Sequence, residues 1–180
     1  MKNLFLFFSF ASFLFNISCS DNTTETDNSL QFMKGDVIVG VTSQTEVGAV
    51  FDLMNEFELP IDLMSGFDYF SPLPQDSIES LIQYFSSISY LNKNGFGPFV
   101  FYSEIDNKIT ILPRLYDMNL INQTDWLNNL DEKELIDCNG NFKTLLLKVP
   151  EGTEISWVKK LKEYDIVRWA ELNYLTHITH

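Results

Sequence analysis

Lys143-Thr144-Leu145-Leu146-Leu147-Lys148-Val149-Pro150-Glu151-Gly152-Thr153 and, further on, Ile166-Val167-Arg168-Trp169-Ala170-Glu171-Leu172-Asn173-Tyr174 are the stretches on which the fold turns. The first opens as a short apolar run that Pro150 and the Glu151-Gly152 turn bring to an end, which is how a buried strand reads. Thr153 stands where a helix cap belongs, and Ile155, Val158 and Leu161 follow at helical spacing with Lys159, Lys160 and Lys162 elsewhere on the helix. The second stretch is a closing strand, so this part of the chain predicts strand, helix, strand.

A similar unit opens the chain's folded part. Asp36-Val37-Ile38-Val39-Gly40-Val41 is apolar and rich in β-branched residues. Ser43 and Glu46 have capping-box spacing. Val47, Val50, Phe51, Met54 and Phe57 then recur at helical spacing until Pro60 ends the helix. A strand between Ile61 and Phe70 would complete this first unit. Two such units predict an α+β fold, a ferredoxin-like (split βαβ) two-layer sandwich with the first and third strands at the centre of the sheet. The fourth strand, with Arg168 and Glu171, suits an edge.

Between the halves lies a segment, about residues 72–142, too long to be structureless in a compact domain. It predicts an α/β insertion between the second and third core strands. Asp76 to Leu91 reads as a helix with Ile78, Leu81, Ile82, Phe85 and Ile88 on one face, and Asn94-Gly95-Phe96-Gly97-Pro98 breaks it. Phe99 to Tyr102 and Lys108 to Leu112 read as a hairpin around Ile105-Asp106-Asn107, and Asn122 to Leu130 as a short helix. The insertion either folds over the open face of the sheet or leaves its aromatics, Phe96, Phe99, Phe101 and Tyr102, to line a groove.

Gly35-Asp36-Val37-Ile38-Val39-Gly40-Val41 resembles the opening strand of subtilase propeptides and the related peptidase-inhibitor I9-like domains. Leu147 to Gly152, the helix after it, and the closing strand with Val167-Arg168-Trp169-Ala170-Glu171-Leu172-Asn173-Tyr174 are similar to that family's second half, with Leu172 where the family has Pro. The resemblance covers roughly residues 34–70 and 143–175. It implies a domain that docks its open sheet face on a protease and sends the residues after its last strand, here Tyr174, Leu175, Thr176 and His177, toward the substrate cleft. The insertion departs from the family, and no protease domain follows in this chain, so the resemblance implies action in trans.

The start of the chain gives an address. Met1-Lys2-Asn3, the apolar run Leu4 to Phe15 and Asn16-Ile17-Ser18 make a signal peptide over residues 1–18, too short in its apolar part to span a bilayer. Cys19 followed by Ser20-Asp21-Asn22-Thr23-Thr24-Glu25 resembles the lipobox of bacterial lipoproteins, with Asn16 where the pattern has an aliphatic residue. The resemblance implies acyl chains on Cys19, and Ser20 after it implies the outer membrane of a Gram-negative cell, with Asp21 similar to surface-export signals. The alternative is an ordinary secretory signal and a soluble periplasmic or secreted protein. Residues 19–33 then form a tether too poor in apolar side chains to fold, ahead of a single domain over 34–175 and a tail over 176–180.

Composition sets further limits. Sixteen Phe, seven Tyr and three Trp supply apolar area, some of it spent in the signal and the rest left for a core in a domain of about 150 residues. With 25 acidic and 12 basic residues the chain carries −13, which disfavours a nucleic-acid partner. Cys138 beside Asn139-Gly140 reads as a thiol without a partner in the chain: reactive, paired between chains, or half-buried and quiet. His177 and His180 have no cysteine or carboxylate pattern around them, so no metal is expected. Gly-x-Ser-x-Gly, a phosphate-cradling glycine loop and His-Glu-x-x-His are all missing from the sequence, so the expectation is a non-enzyme without cofactor. Two functions remain: an exported, lipid-anchored interaction lipoprotein, or an inhibitor or folding helper acting in trans on a subtilisin-like protease.

Overall fold

The computed structural model describes residues 31–93 and 95–175. Cys19, Thr176, His177 and His180 lie outside the described residues. Among the described residues the fold is α+β, with four α-helices and two antiparallel sheets.

The larger sheet has five strands. β1 (Phe32–Val41) pairs with β8 (Thr144–Lys148) on one side and β9 (Val167–Tyr174) on the other. β2 (Ile61–Ser65) lies outside β8, and β6 (Leu115–Tyr116) outside β2, giving the order β6-β2-β8-β1-β9. β1 begins at Phe32, opposite Tyr174, so the strand takes up the last two residues assigned to the tether. Gly35, with φ +76°, sits in a break of register there, and its N–H donates 2.7 Å to the Glu154 carboxylate.

Alternation places Val37, Val39, Val41, Leu145 and Leu147 on one face, where they are buried. Against that face lie α1 (Val47–Glu56), through Val50, Phe51 and Met54, and α4 (Glu154–Leu161), through Leu161. The ends of these helices meet at Phe57, whose ring stands edge-on to Trp157 (5.7 Å) and Tyr164 (5.3 Å).

The segment Ile61 to Phe70 does not form one strand. Gly66, with φ +75°, turns the chain out of the larger sheet, and a Cβ there would stand 2.2 Å from the Phe142 carbonyl oxygen. Beyond this turn, β3 (Tyr69–Ser71) belongs to a second sheet with β4 (Phe99–Ser103), β5 (Lys108–Leu112) and β7 (Ile136–Asp137), in the order β4-β5-β3-β7. The β4–β5 hairpin has the predicted strands. The predicted helix over 76–91 is shorter: α2 (Ile78–Ser87) is flanked by two 3-10 turns, Gln75–Ser77 and Ser89–Leu91, and Ile82 is exposed. α3 (Leu120–Glu132) starts two residues before the predicted Asn122, because the Asn119 side chain accepts from the Ile121 and Asn122 N–H groups.

The caps expected at α1 and α4 do not form: α1 starts after Glu46, not Ser43, and neither Glu46 nor Thr153 gives its helix a side-chain cap. Ile155, placed on the apolar side of α4, is 57% exposed, while its neighbour Glu154 is buried.

The insertion packs on the helix side. Trp126 of α3 is buried against Tyr69 (5.6 Å), Phe85 (6.2 Å) and Tyr90 (6.5 Å). The Asn55 amide of α1 donates 2.8 Å to Gln123 of α3, so the two helices are neighbours. Residues of both sheets therefore belong to one continuous hydrophobic cluster. Lys143 ties the halves together: its buried ammonium donates to the Ser43 carbonyl (2.7 Å), the Thr45 carbonyl (2.9 Å) and the Asp137 carboxylate (2.7 Å). A buried ammonium with three acceptors is a satisfied group.

Candidate docking face

The other face of the five-stranded sheet is built by the residues between those that face the helices. Pairing sets Tyr116 beside Leu63, Leu63 beside Leu146, Leu146 beside Ile38, and Trp169 opposite Gly40. Ile38, Leu63 and Leu146 are only partly buried and line a shallow cleft of about 250 Å³ with Ser65, Thr144 and Asn173. The four helices place their buried apolar residues in the cluster on the opposite side. Of the two arrangements left open for the insertion, folding over this face is not the one seen: among the described residues it contributes the edge strand β6, and the cleft is lined by strand residues.

Gly40 shapes the centre of the face. A Cβ at this position would lie 2.2 Å from the Trp169 indole, so the ring rests directly on the strand backbone. A glycine in a strand interior marks such an approach. The sequence contained this signal, an isolated glycine in an apolar strand opposite a tryptophan, without the register that links them.

Charged pairs frame one end. Lys148 donates 2.7 Å to Asp36 and lies 3.5 Å from Asp62. Lys93 stands 3.5 Å from Asp62 and 3.2 Å from Asp117, with its ammonium 5.5 Å from the Tyr116 ring centre. Asn173 donates 2.9 Å to the second oxygen of Asp36. The hydrogen bond to Asp117 raises the Lys93 ammonium above the ordinary lysine range, and that to Asp36 does the same for Lys148. Ser65 and Thr144 share a 2.8 Å hydroxyl contact at the other end. The result is an apolar centre inside a polar rim, the anatomy of a protein contact surface.

The tail residues named from sequence divide at the edge of the described residues. Tyr174 ends β9 and is 46% exposed; Leu175 is 38% exposed and donates its N–H 2.8 Å to the Gln31 carbonyl. Thr176 and His177 lie beyond.

The other chemistry-bearing groups gather where the two sheets meet. Cys138 is exposed, not half-buried, and desolvation of its sulfur, followed by the charges of Asp68 and Asp137, pushes its thiol up. A raised thiol is a poor nucleophile at neutral pH. Asp68 is also raised, by burial first and then by Asp137. The Tyr69 hydroxyl and the Trp126 indole N–H are buried without a hydrogen-bond partner among the described residues, and burial raises the tyrosine strongly. Among the described residues no group of three His, Cys, Asp or Glu is placed to hold a metal ion, and no helix is long and apolar enough to cross a membrane.

Compared with known proteins, the chain matches no family model, no curated protein and no solved structure.

Proposed function

We propose that this chain is an exported, lipid-anchored interaction protein without catalytic activity, which meets a protein partner through the open face of its five-stranded sheet. The observation that carries this reading is the apolar row Tyr116, Leu63, Leu146 and Ile38 with Trp169, left partly exposed inside a frame of charged residues. An apolar patch rimmed by polar groups is what an interaction site offers. The anchor is acylated Cys19, and the envelope, as outer membrane, is the location. Metabolic labelling with a palmitate analogue tests the anchor: label is expected on the parent and lost in Cys19→Ala, and label retained by that variant contradicts it.

A narrower reading, an inhibitor or folding helper acting in trans on a subtilisin-like protease, is favoured by two observations. In the order β2-β8-β1-β9 each βα-linked pair of strands encloses one strand of the other pair, as in a ferredoxin-like split βαβ. Tyr174 and Leu175, at the end of the edge strand β9, are also exposed, as residues that contact a protease need to be. Assaying a panel of subtilisin-like proteases with the processed chain tests it. Micromolar inhibition that Leu146→Asp weakens supports the inhibitor; full protease activity throughout leaves only the general reading.

A further inference from the structure

The outer edge of the second sheet is built unlike the others. β4 stands at the end of the order β4-β5-β3-β7, and among the described strands it pairs with β5 alone. Edge strands of soluble proteins normally carry charges, prolines or bulges that discourage pairing with another chain. β9, the edge of the larger sheet, carries Arg168 and Glu171; β6 and β7 have two residues each. β4 is Phe99-Val100-Phe101-Tyr102-Ser103, five residues without a charge or a proline. Its solvent face adds apolar area: Phe99 is 64% and Phe101 37% exposed, with rings 5.5 Å apart. The row continues by register through Thr110 to Phe70 and Ile136, the last 48% exposed.

We propose that β4 is a self-association edge, at which a second copy of this chain adds its own β4 antiparallel and joins the two four-stranded sheets into one. Two-fold symmetry requires a register in which a residue faces itself, and the uncharged strand centred on Phe101 allows it. Phe101 then opposes Phe101 of the other copy, Val100 opposes Tyr102, and Phe99 opposes Ser103. The aromatic rows of the two copies meet on one face of the joined sheet.

Charge supports a second copy over another occupant. In this register Glu104 and Asp106, at the hairpin end of one β4, point toward residues 96–98 of the other. There Arg114 is stacked on Phe96, its guanidinium carbon 5.6 Å from the ring centre. Acidic groups meet a cation at both ends of the pairing, and no like charges face each other along it. The remaining surface of each copy repels, since each chain carries −13, so added salt tightens the pair instead of dissolving it.

Sedimentation of the processed chain and cysteine cross-linking test this, the latter in a Cys19→Ser, Cys138→Ser background. Opposed residues in an antiparallel pair stand about 4.5–5.5 Å apart at Cα, within disulfide range. The expected result is a dimer that salt strengthens and that Phe101→Lys weakens at least about tenfold, by setting like charges face to face. Phe101→Cys should form disulfide-linked dimers faster than Ile105→Cys, although Ile105 is 96% exposed, because Ile105 does not oppose itself. A chain that sediments as a monomer, with Phe101→Cys no faster than Ile105→Cys, overturns the proposal. So does a monomer that co-sediments with phosphatidylcholine vesicles and loses that binding in Phe101→Lys, which would make the aromatic row a lipid contact.

Discussion

The two sheets share one hydrophobic cluster, yet they meet solvent in opposite ways. The five-stranded sheet closes one end of its exposed apolar centre with paired charges, Lys148 with Asp36 and Lys93 with Asp117, and guards its long edge with Arg168 and Glu171. The four-stranded sheet leaves Phe99 and Phe101 on an edge strand with no charge at all. A framed face selects a partner of a given shape and charge, whereas an unguarded edge offers its hydrogen bonds to another strand and leaves selection to the charges beyond its ends. The border of an exposed apolar area thus sets what it can bind.

The contrast between the two faces of the larger sheet breaks most sharply at adjacent residues. Leu147 is fully buried beneath the helices, and Leu146, one position earlier, lies on the open face. Leu147→Asp places an unpaired carboxylate in the core and should abolish folding, a loss of more than about 4 kcal/mol. Leu146→Asp should cost under about 1 kcal/mol and keep the native circular dichroism. Equal losses in urea titrations would mean that the open face is covered in the folded protein.

Lys143→Met tests the tie between the sheets. The substitution keeps the apolar stem but strands Asp137 and two carbonyls, and should cost about 3 kcal/mol by denaturant titration. A near-neutral result would show that the halves are held by packing alone.

Gly40→Ala probes the open face itself. The added methyl overlaps the Trp169 indole, and about 1–3 kcal/mol should be lost as the ring is displaced. In a Trp169→Ala background the same change should cost much less, a non-additivity that a double-mutant cycle measures. Additive losses would place the strain elsewhere.

The smallest effect is at acid pH. The Gly35 N–H holds the Glu154 carboxyl below the ordinary glutamate range. A depressed carboxyl contributes stability that is present above the unfolded pKa and lost as pH falls through the folded one. Glu154→Gln should therefore be less stable than the parent at neutral pH. The gap should close as pH drops below the usual glutamate range, which thermal melts at several pH values would follow.

The two βα units were legible because β1, β8 and their helices have local patterns: apolar runs in strands buried on one face, and apolar residues at helical spacing. The path between them was not. Ile61 to Phe70 reads as one strand, and the turn at Gly66, whose φ of +75° and approach to the Phe142 backbone the strand pattern does not reveal, sends its end into another sheet. Return of Leu115–Tyr116 to the first sheet is likewise a long-range pairing with no local mark. Lys143 reads as the polar start of a strand, since nothing nearby in sequence announces the carbonyls of Ser43 and Thr45 that bury it. Of the candidate site, the tail residues Tyr174 and Leu175 came from resemblance, while the face residues Ile38, Leu63 and Leu146 required the register.

A photo-cross-linking residue placed at Leu146 of the full-length protein in intact cells is the decisive test of whether the open face meets a partner. A discrete higher-mass adduct is expected at position 146, one that added parent domain competes away and Leu63→Asp domain does not, with no such adduct from position 155 on α4. No adduct at 146, or the same adducts from 146 and 155, would contradict a docking role for this face.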